Sequence, residues 1–132
     1  MIYEVKKPIL GFENVKRVEL LDIDKAFSML TPLEHKIPGF TLINPYVLKE
    51  YSFDIPSDVK ALLDISPNSN LLVYNIVVLH NPITKSIVNF KAPLLFNKDN
   101  KTMAQFIIDE PYMSIEEALA LKEKQEKIQA MV

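Results

Sequence analysis

The chain has 132 residues, enough for one domain around a single core. Apolar residues make up 48% and charged residues 24%, which excludes the disordered class. The formal net charge of −2 lacks the basic excess of a direct nucleic-acid binder. Lys6-Lys7 and Lys16-Arg17 are answered by Glu4, Glu13 and Glu19, a mixed and solvated surface. Cysteine is absent, so no disulfide, thiolate nucleophile or thiolate metal site can be built.

The opening residues, Met1 to Pro8, hold neither an apolar run nor a small-residue cleavage site, so a signal peptide is not expected. Two glycines stand against nine prolines, which punctuate the chain at turns, strand ends and edges. Phe40 to Ile43 reads as a strand before a turn at Asn44-Pro45. Tyr51 to Ile55 alternates apolar and polar as a half-buried strand should. Ser57 is placed to cap a short helix through Asp64, with Val59, Leu62 and Leu63 as its buried face.

Leu71 to Leu79 is rich in β-branched residues and reads as a strand ending at the Asn81-Pro82 turn. It is too short to cross a bilayer, which takes about 20 apolar residues. Ile87 to Phe96 follows, and Pro93 inside it predicts an edge, a bulge or a break. Asn97 to Asn100 has turn composition, and Met103 to Ile108 returns as a strand. Ser114-Ile115-Glu116-Glu117 is a capping box that opens a second helix. Ile115, Ala118, Leu119 and Leu121 can pack, whereas Lys122 to Lys127 is polar on every side and predicts a projecting or frayed end.

Many short strands between turn signals predict a mainly β fold. It is expected to be a compact antiparallel barrel-like or sandwich domain with one short internal helix and a C-terminal helix. Residues 1–113 form the β domain in this reading, and residues 114–132 a helical extension.

Catalytic templates fail on inventory. A zinc site takes four ligands, or three and water, and His35 and His80 have no partner at usable spacing. His35 reads as a loop residue and His80 as a strand end. Gly11 and Gly39 are isolated and supply no phosphate loop. Asp22 with Asp24, and Asp109 with Glu110, read as solvated charges rather than an acid–base pair. Asn75, Asn89 and Gln105 interrupt apolar strands. Either they satisfy bulges and strand ends, or some of them face a partner.

Specific strings carry the reading further. Pro8-Ile9-Leu10-Gly11-Phe12-Glu13, Phe40-Thr41-Leu42-Ile43-Asn44-Pro45 and Tyr51-Ser52-Phe53-Asp54-Ile55 occur in order, followed by Asn89-Phe90-Lys91-Ala92-Pro93-Leu94-Leu95-Phe96-Asn97, then Gln105 and Tyr112. Together they resemble the FliW family of flagellar assembly factors from about Val5 to Tyr112. Ala104 departs from a glycine often found there, and the charged helix after Ser114 lies outside the match.

The resemblance implies a cytoplasmic binding protein, not an enzyme, with no cofactor and no direct contact with nucleic acid or membrane. Its implied partners are flagellin and CsrA, a small RNA-binding regulator that represses flagellin translation. Asn44, Tyr46, Tyr51, Asn89, Lys91, Asn97 and Gln105 are the expected partner contacts, read as exposed, with a role in a turn or bulge as the alternative for each. Pro8, Gly11, Phe12, Pro45, Ala92 and Pro93 are assigned to the fold. The other readings are a flagellin chaperone without CsrA binding and a small RNA-binding β-barrel.

Overall fold

A computed structural model of the chain describes residues 1–34 and 37–131. His35 lies outside these described residues. Nine strands are present among them: β1 (Ile2–Lys7), β2 (Arg17–Asp22), β3 (Phe27–Pro32), β4 (Phe40–Ile43), β5 (Leu71–Val78), β6 (Ile87–Asn89), β7 (Leu94–Asn97), β8 (Thr102–Gln105) and β9 (Tyr112–Ser114). Two α-helices accompany them, α1 (Ser57–Leu62) and α2 (Ile115–Ala130).

Seven strands close into a barrel in the order β4-β3-β2-β1-β8-β7-β5, and β5 pairs back to β4. The remaining two, β6 and β9, extend from β5 as a small antiparallel flap. The expected barrel is therefore present, with one departure from an all-antiparallel pattern: β1 runs parallel to β8, with a register shift between Val5 and Lys7. Strands in a closed ring can alternate direction at every junction only when their number is even, so a seven-membered ring requires a parallel pair.

The barrel forms because apolar residues recur at every second position. Tyr3 of β1, Val18 and Leu20 of β2, Leu30 of β3, Leu42 of β4, Leu94 and Phe96 of β7 and Met103 of β8 point into one buried cluster. Phe96 sits at its centre, with Tyr3 and Tyr74 edge-on at 5.0 and 5.9 Å between ring centroids. Strands β1 to β3 have no clear sequence signal, because their outward positions carry Ile2, Leu21 and Met29 and blur the alternation.

Two further apolar clusters cover parts of the outer wall. In one, Val59 and Leu63 at the end of α1 press on Leu95, Ala104 and Phe106. In the other, Leu48, Tyr51, Ile115 and Ala118 cover Ile43, Val77, Val88 and Phe90.

Several local expectations change. Tyr51 to Ile55 alternates in burial as expected but pairs with no strand. The barrel wall is already closed, so this segment lies over it as a strap held by side chains, with Phe53 edge-on to Tyr51 and Phe106. Ser57 is the first residue of α1 rather than its cap. Pro56 holds the cap position and makes no side-chain cap hydrogen bond. Leu62 turns outward, and Val59 and Leu63, four residues apart, form the buried face.

The strand expected over Ile87 to Phe96 breaks into β6 and β7 around Pro93, and the return strand stops at Gln105. The capping box at Ser114 is formed in both directions, Glu117 N–H to Ser114 Oγ at 3.1 Å and Ser114 N–H to Glu117 Oε1 at 3.2 Å.

Only the first turns of α2 bury apolar side chains, those of Ile115 and Ala118. Deleting residues 122–132 should therefore leave the barrel folded, with a melting temperature within about 4 °C of the full chain, equivalent to under about 1 kcal/mol for a domain of this size. Insoluble protein after the deletion would contradict this.

Candidate partner-binding surface

The strings quoted for the family resemblance are far apart in sequence, yet several meet at one mouth of the barrel. The ends of β1 and β8 lie there, together with the start of β7 and the loop from Pro8 to Lys16. This loop folds back on itself. Phe12 N–H donates to the Ile9 carbonyl at 2.8 Å, and Gly11 adopts φ +86, a left-handed conformation that favours glycine. Ile9 and Phe12 are thereby turned inward, and Phe12 meets Phe40 edge-on at 4.9 Å.

Gln105 ties this mouth together. Its Oε1 accepts from Leu10 N–H at 2.7 Å, and its Nε2 donates to the Ala92 carbonyl at 3.2 Å. Expected as an exposed contact, it is only 4% exposed. A buried amide costs free energy unless its donors and acceptors are met, and here both ends are used to join two loops. Asn89 also organises backbone: its Oδ1 accepts from Lys91 and Ala92 N–H, which turns the chain at the break before Pro93.

Around this scaffold lie two adjoining hollows of about 370 and 390 Å³, which share Leu10, Gln105 and Ile107. Leu10, Ile107 and Tyr112 stand 58%, 57% and 60% exposed beside them. Lys91 is exposed at the edge and makes no ion pair among the described residues. Lys7, by contrast, is held by Asp58 at 3.0 Å. An apolar groove beside a free cation suits a protein segment that brings apolar side chains and an acidic group. Leu10 and Ile107 carry no signal in the sequence, since a lone exposed aliphatic residue has no distinguishing local pattern.

The other expected contacts lie elsewhere. Asn44 caps a 3-10 turn at Pro45–Val47, its Oδ1 accepting from Tyr46 N–H at 3.0 Å. Tyr46 is half exposed, beside a polar cleft against α2. Asn97, expected to be exposed, is buried. Its Nδ2 donates to the Leu63 carbonyl at 2.9 Å and its Oδ1 accepts from Asp99 N–H, joining the end of α1 to the β7–β8 turn.

Tyr51 likewise differs from the exposed contact expected of it: it opens the strap and is buried against the wall. Its hydroxyl donates to the Phe90 carbonyl at 2.5 Å and accepts from Asn75 Nδ2 at 3.2 Å. Asn75 Nδ2 also donates to the Asn89 carbonyl at 2.8 Å, whereas its Oδ1 has no partner among the described residues. Lys49, unremarkable in the sequence, is 5% exposed, with its ammonium 4.8 Å above the Phe90 ring and 3.6 Å from Glu110. Burial pushes the Tyr51 phenol well above its ordinary range.

Among the described residues, no group of three or more His, Asp or Glu gathers as a metal site. His80 is exposed two residues beyond β5, and its backbone N–H donates to Ser86 Oγ. No helix among them is long and apolar enough to cross a membrane.

The chain is thus a small closed β-barrel with a partly apolar groove at one mouth. The profile described as FliW protein matches residues 1–119. The chain is 50% identical over 109 residues to flagellar assembly factor FliW 2 of Wolinella succinogenes, covering 83% of this chain and 80% of that one. It is 48% identical over 108 residues to FliW 1 of the same organism, covering 82% and 84%. Flagellar assembly factor FliW of Sulfurimonas denitrificans is 44% identical over 110 residues, covering 83% and 87%. A crystal structure of the flagellar assembly factor FliW shares the fold, with a TM-score of 0.77 at 24% identity over 86% of this chain and 82% of that one. The chain belongs to the FliW family of flagellar assembly factors.

Two substitutions separate scaffold from surface. Tyr51→Ala should cost about 3–5 kcal/mol in chemical denaturation, as deletion of a buried aromatic does. Lys91→Ala should stay within about 0.5 kcal/mol.

The raised phenol value sets a pH dependence. Folded Tyr51 holds its proton more tightly than the unfolded chain, so its contribution is complete below the unfolded value of about 10 and is lost as pH rises beyond it. Denaturation midpoints should fall above about pH 10. Tyr51→Phe should flatten part of that fall, and an unchanged profile would remove Tyr51 as its source.

Proposed function

We propose that this chain binds flagellin in the cytoplasm and antagonises CsrA, so that flagellin supply is coupled to flagellin translation. The observation that supports this best is the mouth groove, where Leu10, Ile107 and Tyr112 are exposed around the buried Gln105 tie. Family membership gives assembly-factor character, and the groove gives a place to hold a partner segment by side-chain packing.

The mouth groove would take flagellin. An amphipathic helix of flagellin would set its apolar stripe on Leu10, Ile107 and Tyr112, with an acidic residue reaching Lys91. When flagellin is scarce, the free protein would engage CsrA and relieve repression. When flagellin accumulates, it would occupy the protein and release CsrA. The role is binding, so each step is an exchange of partners and requires no cofactor.

Calorimetric titration with flagellin, with CsrA, and with CsrA after saturation by flagellin tests the exchange. The expected result is binding to both partners and loss of the CsrA signal once flagellin is bound. Binding to flagellin alone would leave a chaperone. Leu10→Glu with Ile107→Glu should weaken flagellin binding by about tenfold or more at unchanged melting temperature, and flagellin affinity equal to wild type would remove the groove as its site.

A further inference from the structure

The β4–β5 seam closes the ring through two residue pairs, Leu42 with Ile76 and Ile43 with Asn75. On its other edge β5 is laddered to β7 from Leu71 to Tyr74. Lys98 N–H donates to the Asn70 carbonyl at 2.9 Å, which sets the alternation. Asn70, Leu72 and Tyr74 turn their backbone groups toward β7, and Leu71, Val73 and Asn75 turn theirs to the seam. Asn75 meets Ile43 there. Two residues further along β4, the same register would bring Pro45 to Val73. Proline has no N–H, and the Pro45 carbonyl already accepts from Leu48 and Lys49 N–H at 3.0 and 3.2 Å. The seam therefore stops. The backbone N–H and carbonyl groups of Leu71 and Val73 have no hydrogen-bond partner among the described residues.

This open edge borders a hollow of about 390 Å³ on the outer wall, which Tyr46, Tyr51, Phe53 and Ile55 line together with Leu71 and Val73. The strap reaches the hollow with side chains and forms no ladder with β5. The hollow shares no lining residue with the groove at the mouth. Backbone donors and acceptors on a half-buried edge call for pairing, and an added strand meets both at once. The apolar lining beside them requires apolar side chains on the same face of that strand. Charge narrows the occupant further. From Glu50 to Pro56 the strap carries two exposed acids, Glu50 and Asp54, and no base. Neither acid makes an ion pair among the described residues. Pro45–Val47 and Leu71–Val78 add no charge. These surroundings favour a basic segment over a second copy of the same acidic strap.

We infer that the open edge of β5 is a strand-addition site for an extended segment of a partner protein, apolar at alternate positions and carrying Lys or Arg beside them. The segment lies antiparallel to β5, in the line that β4 leaves at Pro45. Its backbone pairs with Leu71 and Val73, its apolar side chains fill the hollow, and its base faces Glu50 or Asp54. The site is independent of the partner proposed for the mouth groove.

The test uses the full chain and a capped synthetic peptide, Lys-Val-Thr-Val-Thr-Val-Lys, and reads amide hydrogen exchange by NMR. Without peptide, the Leu71 and Val73 amides should exchange about tenfold or more faster than those of Leu72 and Tyr74. With peptide at about 1 mM, roughly ten times the Kd expected of so short a strand, the two amides should slow about tenfold. N-methylation of the peptide valines, whose amides face β5 in an antiparallel pair, should weaken binding about tenfold or more, and that of the threonines less than about threefold. Glu50→Lys with Asp54→Lys should weaken the peptide about threefold or more at unchanged melting temperature. Unaltered exchange at Leu71 and Val73, or equal losses from the two methylated peptides, would overturn the inference. A dimer of the chain alone in which these amides are already protected would put a second copy on the edge and overturn it as well. Flagellin binding at the groove stands or falls separately.

Discussion

Closure of the ring through β4 and β5 is the constraint on which the other features depend. Once β4 pairs with β3 on one side and β5 on the other, the ring is complete. A seven-membered ring also needs a parallel contact, which falls between β1 and β8. A parallel neighbour cannot be reached by a tight hairpin. The chain between these strands must therefore travel around the whole barrel. The ends of β1 and β8 meet at the mouth, and the loop after β1 and the segment after β8 emerge together there. The groove between Leu10 and Ile107 is a consequence of that meeting.

The closed ring also decides how the remaining segments stabilise the molecule. Tyr51 to Ile55 and α1 pair with no strand and add only side-chain contacts to the outer wall of the ring. They cover the strands around β5, and among the described residues no comparable cluster covers β2 and β3. A small barrel has more outer surface than its short helices can hide. The sector over β2 and β3 carries exposed aliphatic side chains, Leu21 and Ile23 among them.

Buried amides hold the connections in place. Gln105 joins the β1–β2 loop to the β6–β7 break, Asn97 joins α1 to the β7–β8 turn, and Asn75 joins the strap to Phe90 through Tyr51. Each makes a contact that backbone pairing cannot, since loops at a barrel end have no ladder. Gln105 supports the groove from beneath while Leu10 and Ile107 present it. The surface is thus built by residues that a partner would not need to touch.

Sequence alone determined the β class, the strand endings at Asn44-Pro45 and around Pro93, the capping box at Ser114 and, through strings in a fixed order, the family. These are local properties: proline geometry, side-chain alternation and capping act within a few residues. Tertiary structure decided what those signals could not. Tyr51 to Ile55 alternates like a strand, but whether an alternating segment pairs depends on a free edge elsewhere. Gln105, Asn97 and Tyr51 look like surface contacts because their polar groups have no visible partner nearby in the chain, yet each has at least one partner 13 to 95 residues away. Leu10, Ile107, Leu21 and Ile83 are ordinary aliphatic residues in sequence, and they become a groove and a bare wall only where the closed ring gathers them without covering them.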